Sequence, residues 1–160
     1  MTNKKLNDFK ETMKNGMIEN FKIHGFLTPV MFFLINGQPV ISTIPGELLE
    51  DYEGKTILSN MIKRICKDPN VIAGGIIIEA NAAKVDADSE LSKLLLNGDL
   101  RVSELKEKQD IIMMVFSTPE KEEMIAYHVD CKNKTVGEPL ASNYDSFGGT
   151  FSEFFNWNKN

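Results

Sequence analysis

The sequence predicts a single α+β domain built on a mostly antiparallel sheet of about five strands, and three features point to it. Apolar residues recur at helical spacing in two segments. Five other runs have the composition of strands, three of them apolar on both faces. Tight turns join four of these runs into two hairpins, and such pairing is antiparallel by construction. A chain of 160 residues is long enough to bury roughly 70% of its unfolded surface without metal or disulfide staples.

The elements follow in order. Leu6, Phe9, Met13, Met17 and Phe21 lie three and four apart, which predicts an amphipathic helix over residues 3–22. Gly16 lies inside it as a possible kink, and Gly25 closes it. Val30 to Ile35 is a two-faced apolar strand, and Asn36-Gly37 supplies the positive φ angles of a two-residue hairpin. The returning strand, Val40 to Ile44, follows Pro39 and is therefore expected at an edge, because proline cannot donate to a ladder. A second helix is predicted over residues 54–67, with Asp68-Pro69-Asn70 ending it. Val71–Ala80 is a buried strand interrupted by Gly74-Gly75, a bulge or a place of close backbone approach. Residues 84–108 form a polar insert or lid with a short helix at Glu90–Leu96, capped by Ser89. "DIIMMVFS" and "EMIAYHVDC" make the second hairpin. In residues 147–160, Thr150-Phe151-Ser152-Glu153 reads as a capping box ahead of a short aromatic helix. The order is α-β-β-α-β-insert-β-β-α, with spatial strand order 2-1-3-4-5 and the helices on one face of the sheet.

Composition narrows the function classes. The net charge of −5 argues against nucleic acid, whose binding draws on an excess of Lys and Arg. No apolar run approaches the ~20 residues of a membrane helix, and Met1-Thr2-Asn3-Lys4-Lys5 begins no secretory signal. Two cysteines without CxxC spacing fit a reducing, cytoplasmic setting.

The segment "IAYHVDCK" gathers a histidine, a carboxylate and a cysteine. On a strand, Ile125, Tyr127, Val129 and Cys131 face one way, while His128 and Asp130 face the other. His128 is then a solvated surface residue and Cys131 a core one, so the three do not converge. His24, His128, Cys66 and Cys131 make a poor ligand set, and no metal or cofactor is expected. "EGKT" (Glu53–Thr56) has Leu49 where a phosphate loop needs glycine, and "DADSE" (Asp86–Glu90) has Leu91 where a calcium loop needs it. Glu79 ends an apolar strand, either as a half-buried carboxylate with a raised pKa or simply where the strand reaches water. Phe147, Phe151, Phe154, Phe155 and Trp157 concentrate aromatic surface in the tail. Phe151, Phe154, Phe155 and Trp157 are candidate partner-binding residues, and the alternative is that the helix face carrying Phe151, Phe154 and Phe155 closes the domain's own core.

The succession of "TPVMFFLINGQPVIST", "NVIAGGIIIEANA" and "GDLRVSELKEKQDIIMMVFS" resembles a loosely defined group of small uncharacterised bacteriophage and bacterial proteins. Glu79-Ala80 and Arg101-Val102-Ser103-Glu104 match their Glu-Ala strand end and Arg-x-Ser-Glu loop, and Asn81 departs from the usual aromatic. The resemblance implies a setting and a fold but no reaction.

Two functional expectations follow. The first is a non-enzymatic binding or accessory protein acting through protein–protein contacts, with another protein or a second copy as partner and no membrane or nucleic acid involved. The Leu-rich insert (Leu91, Leu94, Leu95, Leu96) adds apolar surface to that reading. The alternative is a small hydrolase or nucleotide-binding protein with its site between the insert and the third strand. There Glu79, Arg101 and Glu104 supply acid–base and anion contacts, and Gly74-Gly75 admits the ligand.

Overall fold

The computed structural model describes residues 3–83, 85–86, 88–140 and 151–155. Helical periodicity produces helix α1 (Asn3–His24), whose Phe9, Met13, Met17 and Phe21 are the buried stripe. It runs unbroken through Gly16 and stops at Gly25, where φ is 77° and the amide still reaches Phe21 O at 2.7 Å. Strands β1 (Val30–Ile35) and β2 (Gln38–Thr43) follow, joined by Asn36 and Gly37 at φ 52° and 76°. Two successive positive φ angles make a type I′ turn, whose twist suits a two-residue hairpin. Helix α2 (Tyr52–Ile65) begins at Asp51, whose carboxylate accepts the Gly54 N–H at 2.7 Å.

Strand β3 (Val71–Ala82) leads through helix α3 (Glu90–Leu96) and a 3₁₀ turn at Val102–Glu104 to β4 (Gln109–Ser117). Strands β5 (Glu122–Asp130) and β6 (Thr135–Pro139) complete an antiparallel sheet of order β2-β1-β3-β4-β5-β6. The α+β class and the order of the first five strands agree with the sequence. Among the described residues the sheet has six strands rather than five. Asp130 accepts the Asn133 backbone N–H at 3.1 Å and its side-chain amide at 2.7 Å, and Lys134 takes φ 55°. That turn sends the short, Gly- and Pro-containing segment back along β5, where sequence alternation alone was too brief to mark a strand.

The helices lie on both faces of the sheet, not on one. On the first face α1 packs with Phe32, Leu34, Ala73, Ile77, Ile112, Met114 and Phe116. On the second, Leu58, Ile62 and Cys66 of α2 and its C-cap pack with Phe33, Ile76, Ile78 and Val115. Strands apolar on both faces need cover on both, since each exposed face would forfeit about 25 cal/mol per Å². Phe151, Phe154 and Phe155 supply part of the second cover, and all three are buried.

Gly74 and Gly75 serve this double packing. A methyl group on Gly75 would collide with the Val115 carbonyl oxygen and the Phe32 ring. The space holds an aromatic trio, with ring centroids 5.8 Å apart for Phe9–Phe32, 5.9 Å for Phe32–Phe116 and 6.0 Å for Phe9–Phe116. On the opposite face Gly74 makes room for Phe33 and the Cys66 sulfur.

Candidate functional site

The aromatic tail is tied down rather than displayed. Residues Phe151–Phe155 form no helix, and Glu153 sits at φ 59°. The reason is a carboxylate on β5. Glu122 accepts the Glu153 N–H at 2.8 Å and the Phe154 N–H at 3.3 Å, and takes a short hydrogen bond from the Ser117 hydroxyl. The amides that an irregular segment leaves without ladder partners are thus satisfied by a neighbouring strand. Phe151, Phe154 and Phe155 are therefore core residues here, as in the alternative reading of the tail. Phe147, Thr150 and Trp157 lie outside the described residues.

The segment Ile125–Lys132 resolves differently from its sequence reading at both ends. His128 is half-buried, and its Nδ1 is shielded from water with no hydrogen-bond partner among the described residues. It is not a solvated surface histidine. Cys131 is exposed, because β5 ends at Asp130 and the strict alternation of a strand stops there. Its sulfur lies 3.9 Å from Asp110 Oδ2. Burial and the surrounding carboxylates Asp110, Glu79 and Asp130 push the Cys131 thiol up from its ordinary pKa. Asp130 is occupied by Asn133, whose hydrogen bonds hold its carboxyl below the usual range. Cys66 is buried, which pushes its thiol up to about 12. Among the described residues no group of three or more His, Cys, Asp or Glu is placed to hold a metal ion.

Glu79, Arg101 and Glu104 come from neighbouring elements without joining. Glu79 is exposed near the end of β3. Partial desolvation raises its pKa, the Leu27 N–H opposes that, and Asp110 adds to it. Glu104 is spent locally, accepting the Arg101 backbone N–H at 3.1 Å within the 3₁₀ turn. No ion pair links the three among the described residues. The space that Gly74-Gly75 was expected to leave for a ligand is filled by Phe32, Phe33 and Cys66.

The feature that sequence reasoning missed is the outer edge of β2. From Phe26 to Gly46 the chain carries no Asp, Glu, Lys, Arg or His, although 26% of the whole is charged. This neutral hairpin ends in a strand whose six residues are all exposed, with Ile41 57% and Val40 43% open to solvent. Other exposed apolar residues, such as Ile57 and Met61, sit inside a helix whose backbone bonds itself. On β2 apolar side chains coincide with a backbone edge that is unpaired among the described residues, which is the usual template for strand addition. The signal was present in the sequence as an uncharged run, but its meaning depended on which of its two strands lay outermost.

Comparison with known proteins gives no match for this chain among family models, curated proteins or solved structures.

Proposed function

We propose that the chain is a non-enzymatic binding or accessory protein that works through protein–protein contacts, with the outer edge of β2 as its contact surface. The observation carrying this reading is the coincidence of exposed Val40 and Ile41 with an uncharged strand edge that no other strand pairs with among the described residues. A charged edge discourages association, and this one has no charge to do so. The proposal keeps the setting implied by the resemblance, a phage-encoded chain acting in the host cytoplasm, and keeps Trp157 as a further contact residue. No helix among the described residues is long and apolar enough to cross a membrane.

Site-specific photo-crosslinking tests it. A benzoylphenylalanine at position 41 of the full chain, in cells producing it at low level, is expected to give a discrete protein adduct. The same probe at Leu96, the most exposed large apolar residue among those described, is expected to give none. Absence of any adduct from position 41 contradicts the reading.

A further inference from the structure

The β2 edge has a register of its own, set by two prolines. In the type I′ hairpin the closing pair Ile35–Gln38 exchanges both hydrogen bonds, and bonding alternates along the ladder from there. Gln38, Val40 and Ser42 therefore turn their amides and carbonyls toward β1. The Ile44 N–H donating to Pro29 O at 2.9 Å continues the same phase. Pro39, Ile41 and Thr43 face outward, and beyond the strand Pro45 has no N–H while its carbonyl accepts the Leu48 N–H at 3.1 Å. Two of these four positions lack an N–H, so the edge offers complete donor–acceptor pairs at Ile41 and Thr43 alone.

We infer that this window pairs with its own copy: two chains join antiparallel, β2 to β2, about a twofold axis through Ser42, making one sheet continuous across the dimer. The inference rests on the reading of the β2 edge as a contact surface and names its partner. In that register Ile41 of each chain opposes Thr43 of the other, and each such pair exchanges both of its hydrogen bonds. Pro39 falls opposite Pro45, so the prolines meet where neither could donate, and the Pro39 carbonyl is left to water at the end of the pairing. Moving the axis to Ile41 sets Pro39 against Thr43, so that Ile41 alone uses both its donor and its acceptor. The side chains agree with the first choice. Val40 meets Ile44 on one face and Ile41 meets Thr43 on the other, all β-branched pairs suited to neighbouring strands. The contact is isologous, as a closed dimer requires. Charge agrees as well. Two molecules of net charge −5 repel, and β2 lies inside the Phe26–Gly46 run that adds nothing to that repulsion.

Cysteine cross-linking reads the register directly. Across the axis the two Ser42 residues form a non-hydrogen-bonded pair with Cα atoms about 4.5 Å apart. That separation lies within the ~4.4–6.8 Å span of a disulfide. In a Cys131→Ser background, which removes the exposed native thiol, Ser42→Cys is expected to form a covalent dimer with oxidised glutathione as the electron acceptor. Ser103→Cys, in the exposed 3₁₀ turn, is expected to stay monomeric. Adding Ile41→Lys to the Ser42→Cys chain is expected to abolish the cross-link, with an unchanged circular-dichroism spectrum showing that the fold survives. Failure of Ser42→Cys to cross-link, or cross-linking that Ile41→Lys leaves intact, overturns the self-pairing. Photo-adducts from position 41 to a different protein, with no Ser42 cross-link, overturn it while leaving the proposed function standing. Absence of both overturns the two together.

Discussion

Glu122 shows how much one side chain decides. Its carboxylate collects a hydroxyl and two backbone amides, and through them seats Phe154 in the core. Hydrogen bonds to a charged group contribute about 1.5–3 kcal/mol each and leave costly orphans when removed. Glu122→Ala is therefore expected to lower unfolding stability in urea by about 3 kcal/mol, and a change below about 1 kcal/mol would contradict the latch. Glu79 carries the opposite lesson. A carboxyl whose folded pKa is raised is least costly when protonated, so its contribution to stability declines as pH rises through its titration range. Glu79→Gln is expected to stabilise the protein at pH 7, with the gain disappearing toward pH 4, as a series of urea midpoints would show. The two thiols differ in the same physical terms. Cys66 is buried and pushed up to about 12, and Cys131 is exposed. A chromogenic disulfide reagent is expected to titrate one thiol in the native chain and two in guanidinium; two in the native chain would contradict the buried placement.

At the scale of elements, periodicity and turn chemistry made most of the fold legible. The stripe from Leu6 to Phe21 gave α1, Asn36-Gly37 gave the first hairpin, and Pro39 correctly marked an edge strand. What escaped were features decided by a partner distant in sequence. Residues 151–155, expected to open a C-terminal helix, are irregular, and Glu122, 31 residues away from Glu153, holds their amides. The sixth strand depends on the Asp130–Asn133 turn rather than on its own residues. Cys131 lies one residue past the end of β5, where strand alternation no longer decides which way a side chain faces. The placement of the helices on opposite faces was implicit in strands apolar on both sides, a consequence the sequence reading did not draw. Phe154 is fully buried, so Phe154→Ala is expected to cost about 3–5 kcal/mol, the range for an aromatic cavity. A cost near zero would mean that the tail is not part of the core.

For the whole molecule, the candidate site was harder to read than the fold. The chemistry-bearing residues drew attention because of their types, yet Arg101 and Glu104 are bonded to each other within one turn and Asp130 to a neighbouring asparagine. The β2 edge drew none, because it is made of Gln, Pro, Val, Ile, Ser and Thr and stands out only once its neighbours in the sheet are known. A molecule that works through this edge should gain no stability from small ligands. Nucleotides with magnesium are expected to leave the thermal midpoint unchanged, whereas a ligand at 100 times its Kd would add about 2.7 kcal/mol. Sedimentation equilibrium over a wide concentration range, on the unmodified chain and on Ile41→Lys, tests the central claim most directly. The unmodified chain is expected to rise from 18.0 kDa toward twice that mass while Ile41→Lys stays at 18.0 kDa; equal masses for the two at every concentration would contradict it.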